Sequence, residues 1–248
     1  MKPYLYETKS EFLSLMRMPR YAISTLILPL LFYCFFGLGL AKRFGHGAAA
    51  VYLGSYSAWG VMGACLWGIG AAVASERGFG WLQLKRASPM PPLAYFVAKL
   101  ASAFLFSTLV MIGMFLLAGF FGGVHFPASQ WARLALALWA GTIPFCALGF
   151  LLGYLMGPTF APAVVNLVFL PMLFLSGIWI PLQFLPEYIQ HIAPALPSYH
   201  LAQLTSAVVG AGSKLSPVAS LEALFAFTLI FGGAAWLAWR REETKVYG

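Results

Sequence analysis

The sequence predicts an all-α integral membrane protein with six transmembrane helices, and three observations predict it. Of its 248 residues, 61% are apolar and 9% are charged, against roughly 45–50% and 25% in a soluble domain. The mean hydropathy is +0.82. The charges are also gathered between apolar runs, most of them near the roughly 20 residues that a helix needs to cross the hydrocarbon core. A soluble enzyme, a secreted disulfide scaffold and a disordered chain are excluded by these three facts.

Taken in order, residues 1–20 predict an interfacial helix. Leu5, Phe12, Leu15 and Met16 fall near one helical face and Lys9, Glu11, Arg17 and Arg20 largely elsewhere, before Pro19 turns the chain into the membrane. A polar cytoplasmic tail is the alternative. The first span runs from Tyr21 to Leu40 and ends at Lys42 and Arg43. It exceeds the apolar core of a signal peptide and reads as a retained span. The second runs from Ala48 to Ser75, closed by Glu76 and Arg77, and the third from Leu100 to Gly123, entered from Lys99. Between Arg133 and Glu187 lie 53 residues without a formal charge, broken by Gly157, Pro158 and Pro162. They predict spans over Leu134–Met156 and Ala163–Ile180. The last span, Leu221 to Trp239, ends at Arg240 and Arg241. With the N-terminus in the cytoplasm, 11 Lys and Arg lie inside and 4 outside. The positive-inside rule therefore places both termini in the cytoplasm. No large soluble domain is evident, so the chain reads as a single domain, 1–248.

Two segments do more than span. The loop from Glu76 to Lys99 mixes charge with Phe79, Trp81, Leu82, Leu84, Tyr95 and Phe96, a composition that suits a short helix docking into a partner's groove. The prolines at 89, 91 and 92 stop such a helix. The stretch 181–217 carries Pro181, Pro186, Pro194, Pro197 and Pro217, too many for one uninterrupted helix. Its apolar groups are too many for an ordinary aqueous loop, so short re-entrant helices are expected, with an amphipathic surface loop as the alternative.

Chemistry is sparse elsewhere. Cys34, Cys65 and Cys146 are isolated within apolar runs and indicate neither a disulfide framework nor zinc. His46, His125, His191 and His200 map to the outer side, without metal-ligand spacing. No span carries an ionisable group at mid-depth, and Glu222 sits at an outer edge. The run from Gly210 to Ser216 only superficially resembles a phosphate-binding loop, because no Gly precedes Lys214. The basic excess orients the membrane protein and does not indicate nucleic acid. Small residues recur at Gly60, Ala64, Gly68 and Ala72. They read as helix packing inside one subunit in preference to a dimer seam.

Two stretches resemble a known family. Glu76, Gly78, Leu82, Ser88-Pro89 and Lys99 are similar to one signature of the ABC-2 type transport permeases. Phe174 to Pro186, continued by Pro194, Pro197 and Tyr199, is similar to the other. The two signatures occur together and in this order, and the resemblance extends over essentially the whole chain. The resemblance implies a type V exporter-like architecture: an N-terminal interfacial helix, six spans, a cytoplasmic coupling helix and extracellular re-entrant helices. It further implies a bacterial inner-membrane permease that pairs with a second copy, identical or related, and binds two ATPase subunits. ATP and Mg2+ would sit on those subunits, and this chain would hold no cofactor and catalyse no reaction. Glu76, Arg77, Phe79, Trp81, Leu82 and Lys85 are expected to contact the ATPase. Ser176, Gly177, Pro181, Pro186, Pro197 and Tyr199 are expected to form an extracellular gate. The chain departs from many relatives in having Trp81, Leu82 and Gln83 where a second acid is common. The expected cargo is an amphiphile, either drug-like, as in multidrug efflux, or lipid-like, and membrane lipids surround the spans. Export of polysaccharide or lipid-linked glycan, an ion-coupled carrier and a membrane enzyme using outer-side histidines stand as alternatives.

Overall fold

The computed structural model describes residues 2–40, 47–87 and 90–247, and every regular element among them is helical. Lys42, Arg43, His46 and the Ser88-Pro89 pair lie outside the described residues. Helix α1 is Lys2–Met16, and α2 occupies residues 19–40 with π-helical turns at Ile23–Ile27 and Tyr33–Leu40. Helix α3 is Ala48–Gly78, α4 Trp81–Ala87, α5 Pro92–Phe120, α6 Ala128–Leu155 and α7 Ala161–Leu175. Short helical turns at Leu182–Phe184 and Ala193–Ala195 flank α8, Glu187–Ile192. Helices α9, Pro197–Val209, and α10, Pro217–Tyr247, complete the chain.

Among the described residues, four helices (α3, α5, α6 and α10) are long and apolar enough to cross a membrane, and Ile23–Gly39 and Ala161–Leu175 are shorter apolar helices. The chain is a multi-pass membrane protein. Helix α3 is its axis: 83% of its apolar stretch is buried, against 17% for α10 at the rim. Such close packing requires small side chains, since apolar burial alone does not draw helices together in lipid. A Cβ on Gly60 would overlap the Val110 side chain of α5, and one on Gly68 would stand 2.6 Å from the Tyr21 hydroxyl of α2. That hydroxyl donates to the Ala64 carbonyl at 3.2 Å. The Gly60–Ala72 row thus packs against helices of its own chain at these positions. Backbone meets backbone at another crossing: Gly149 of α6 faces the Cys65 carbonyl, and Gly153 faces Val73.

Several helix boundaries differ from expectation, and two of them have a visible cause. Helix α5 starts at Pro92 and takes in Lys99, whose ammonium is neutralised by buried partners and so does not mark the membrane edge. Pro92 occupies the first helical turn, where its missing N–H costs nothing. Helix α7 stops at Leu175, although the hydropathy continues through Ile180, because Gly177 takes a left-handed φ of +85°.

Helix α1 is also divided differently from its pattern. Phe12 and Leu15 pack inward on Tyr21 and Phe106. Leu5 and Met16 face outward, while Glu11 is buried. The ends of α3 and α6, the start of α5 and the end of α10 meet at one pole, where a Cβ on Gly78 would overlap the Pro158 ring. The segment 176–183, the 210–214 turn and the start of α3 meet at the other.

Candidate functional site

At the first pole, four helices are tied by one group of charges. Lys99 of α5 is fully buried. Its Nζ donates to Glu11 Oε1 of α1 at 2.5 Å and to Glu76 Oε1 of α3 at 2.7 Å. Tyr95 donates its hydroxyl hydrogen to Glu76 Oε2 at 2.9 Å. Lys85 of α4 stands 2.9 Å from Glu7 Oε1 and 3.7 Å from Glu76 Oε2, over the Tyr95 ring. Burial works to lower the Lys85 pKa, but the carboxylates of Glu76, Glu7 and Glu11 outweigh it and hold the ammonium above the usual lysine range. A buried charge survives only when partners meet it. Here every member of the group has at least one.

Arg77 points away from this group, although it follows Glu76 in sequence. Its Nη1 donates at 2.7 Å to the carbonyls of Gly153 and Tyr154, at the end of α6 where carbonyls lack helical partners. Its Nε and Nη2 donate to Glu242 of α10. The adjacent pair thus tie α3 to opposite neighbours.

Helix α4 sits on this base. Gly80, at φ +77°, turns the chain out of α3. Leu82 then packs inward, whereas Phe79, Trp81 and Leu84 are 73%, 57% and 64% exposed. An exposed aromatic face on a short helix, held by salt bridges from beneath, can seat in a complementary groove. Of the expected contact residues, Glu76 and Lys85 come together, Arg77 and Leu82 are engaged within the chain, and Phe79 and Trp81 are free at the surface.

At the other pole, Gly177 is tightly enclosed: a Cβ there would stand 2.6 Å from the Leu182 side chain. Ser176 is buried with its hydroxyl unpartnered. Pro181 precedes the Leu182–Phe184 turn, Pro186 caps α8 and Pro197 opens α9. Tyr199 is buried with Leu182 and Ala193, and Ser198 donates to the Met172 carbonyl of α7 at 3.1 Å. Helix α9 packs among α3, α6 and α10. A cavity of about 470 Å3 opens here, lined by Ser55, Ser176, Gln183, Gln203 and Lys214 among others. His200 spends Nε2 on the Pro194 carbonyl at 2.9 Å, and His125 spends Nδ1 on the Gly123 carbonyl.

Two groupings escape sequence reading. Glu7, Glu11, Tyr95 and Glu242 join the charged pole through contacts across distant parts of the chain. The usable signals were a lysine inside an apolar helix and acids one turn apart on α1. The second is aromatic: Trp179 stacks on Phe32 at 5.7 Å and meets Trp59 and Phe174 edge-on at 5.0 and 4.7 Å. Tyr52 and Tyr56 stack beside Phe36. The repeats Phe32/Phe36 and Tyr52/Tyr56, each one turn apart, were its sequence signature.

The family model for the ABC-2 type transporter matches residues 4–209. A Bacillus subtilis (strain 168) protein named "Putative transport permease YvfS" is 27% identical over 206 residues, covering 82% of this chain and 84% of its own.

Proposed function

Since the chain belongs to the ABC-2 type transporter family and is a membrane permease subunit, we propose that it is the membrane half of an ATP-driven exporter. The observation that carries this reading is the face formed by α4 and the turn before it. Phe79, Trp81 and Leu84 are exposed at the pole where Glu76, Lys85 and Lys99 bind α4 to α1, α3 and α5. In this reading two permeases stand side by side in the bacterial cytoplasmic membrane, each with six spans and both termini in the cytoplasm. Each α4 seats in one ATPase subunit. ATP closes the ATPases and pushes α4, and the charged group passes the displacement to three helices at once. Glu76 then acts through Lys85 and Lys99, and the aromatic face makes the direct contact. Ser176, Gly177 and the turns through Tyr199 gate the outer end.

The cargo is an amphiphile whose path runs beside α2, α3 and α7. The aromatic group of Phe32 on α2, Trp59 on α3 and Trp179 just beyond α7 also favours a second reading, a glycan or lipid-linked glycan, because sugar faces stack on aromatic rings.

The test uses the permease reconstituted in vesicles with its ATPase. Glu76→Ala is expected to lose permease-stimulated ATP hydrolysis while Glu222→Ala keeps it. Equal stimulation in both variants contradicts the coupling role. Transport that stops when the proton gradient is dissipated, with ATP intact, contradicts ATP drive.

A further inference from the structure

At the pole opposite α4, the cavity of about 470 Å3 lies between three parts of the chain: the start of α3, the segment 176–183, and α9 with the turn after it. That volume falls within the roughly 300–1,000 Å3 of small-molecule pockets. Its walls carry polar groups with bonding capacity to spare. The Gln183 amide and the Ser55 and Ser206 hydroxyls line it and have no hydrogen-bond partner among the described residues. Gln203 accepts through Oε1 from Ser213 Oγ at 2.9 Å and from the Lys214 N–H at 2.8 Å, which leaves its Nε2 as a donor. Ser176 is fully buried on the same wall, and its hydroxyl has no partner. Native proteins rarely leave such a group unmet. A ligand that both donates and accepts hydrogen bonds satisfies this set.

Charge and shape narrow the class. No acid lines the cavity among the described residues, and Lys214 is the cation there. Its Nζ meets Gln190 Oε1 at 3.2 Å, a neutral partner that leaves the positive charge in place. A cationic ligand is therefore disfavoured. Tyr52, which stacks on Tyr56 at 5.6 Å, adds an aromatic wall. The turn 211–214 at the rim is exposed and polar, so the ligand enters from water. A sugar ring has this chemistry: an apolar face for the tyrosine, and hydroxyls around its edge for the amides and serines.

We propose that this cavity binds one sugar ring, neutral or acidic, from aqueous solution. The ring lies against Tyr52, its hydroxyls bond the Gln183 and Gln203 amides, and the carboxylate of an acidic sugar faces Lys214. Bound there, it bridges the segment 176–183 to α3 and α9. Such binding needs neither ATP nor an ATPase, so it stands or falls apart from the exporter reading.

The test is saturation-transfer NMR on the full chain, purified in a detergent without a sugar headgroup. The probes are methyl β-glucoside, methyl β-glucuronide, protonated glucosamine and glycerol phosphate. Both methyl glycosides give a saturable signal with the wild-type chain, and both bind more tightly than glucosamine or glycerol phosphate. Gln183→Ala raises the half-saturating glycoside concentration about fivefold, as loss of one hydrogen bond requires. Ser206→Phe fills the cavity and removes the saturable signal. Where that variant does not elute as a monodisperse species, Tyr52→Leu replaces it and weakens binding about fivefold. Absence of a saturable signal with both glycosides overturns the proposal. So does an unchanged half-saturation in the monodisperse variants. Tighter binding of glycerol phosphate than of either glycoside also overturns it, by giving the cavity to phosphate. Equal binding of glucosamine and the glucuronide overturns it by removing the charge preference.

Discussion

Removing the Lys99 ammonium leaves Glu11 and Glu76 facing each other in a buried site. Breaking a buried ion group from one side costs about 3–5 kcal/mol, whereas replacing a pair with apolar groups of similar volume is often neutral. Lys99→Met is therefore expected to lower the thermal unfolding temperature in detergent strongly. Glu11→Leu added to it recovers most of the loss, because Glu76 keeps Lys85 and Tyr95. A double variant no better than the single one contradicts this. Lys85 gives a pH prediction. Its folded pKa is raised, so its stabilisation is complete below the unfolded value of about 10.4 and is lost as pH rises through the folded one. Protease access to the α4 loop should be constant from about pH 7 to about pH 9 and increase only above about 10.4. A rise already near pH 8 excludes the Lys85 salt bridges as the tether.

Among the elements, the α3–α6 crossing depends on glycine. A Cβ on Gly149 would stand 2.9 Å from the Cys65 carbonyl, a backbone atom that cannot swing aside. Gly149→Ala should cost about 1–3 kcal/mol by overpacking, read as a lower unfolding temperature. Gly157→Ala, with open space around it, should change little. Equal effects would show that the crossing is looser than described. Element boundaries also show what the sequence makes legible. Apolar runs located the four long helices because hydropathy is a local property, whereas Pro92, read as stopping the short helix before it, opens α5. Lys99 misled as a boundary, since its partners Glu11 and Glu76 are 88 and 23 residues away. Ile178 to Ile180 looked like helix, but the left-handed turn at Gly177 ends α7 earlier.

Across the whole molecule, the two poles carry different kinds of structure. One end presents an aromatic face on a base of salt bridges. The other is a proline-divided segment bound to α2 and α3 through Trp179. The candidate site was legible as a composition, aromatics and charge in one short loop, because docking surfaces expose what cores hide. Which of those residues turn inward was not legible: Glu76 meets Lys99 and Tyr95 of α5, and Leu82 joins the buried core, neither of which a local pattern shows. The central claim is that the outward face belongs to an ATPase. The most direct measurement is the composition and stoichiometry of the complex that purifies with this chain from its native host in mild detergent. The account predicts two permeases with two soluble P-loop ATPases, and loss of the ATPases when Trp81 and Leu84 are both changed to Asp. A wild-type chain that emerges alone, under conditions that keep known transporter complexes intact, contradicts it.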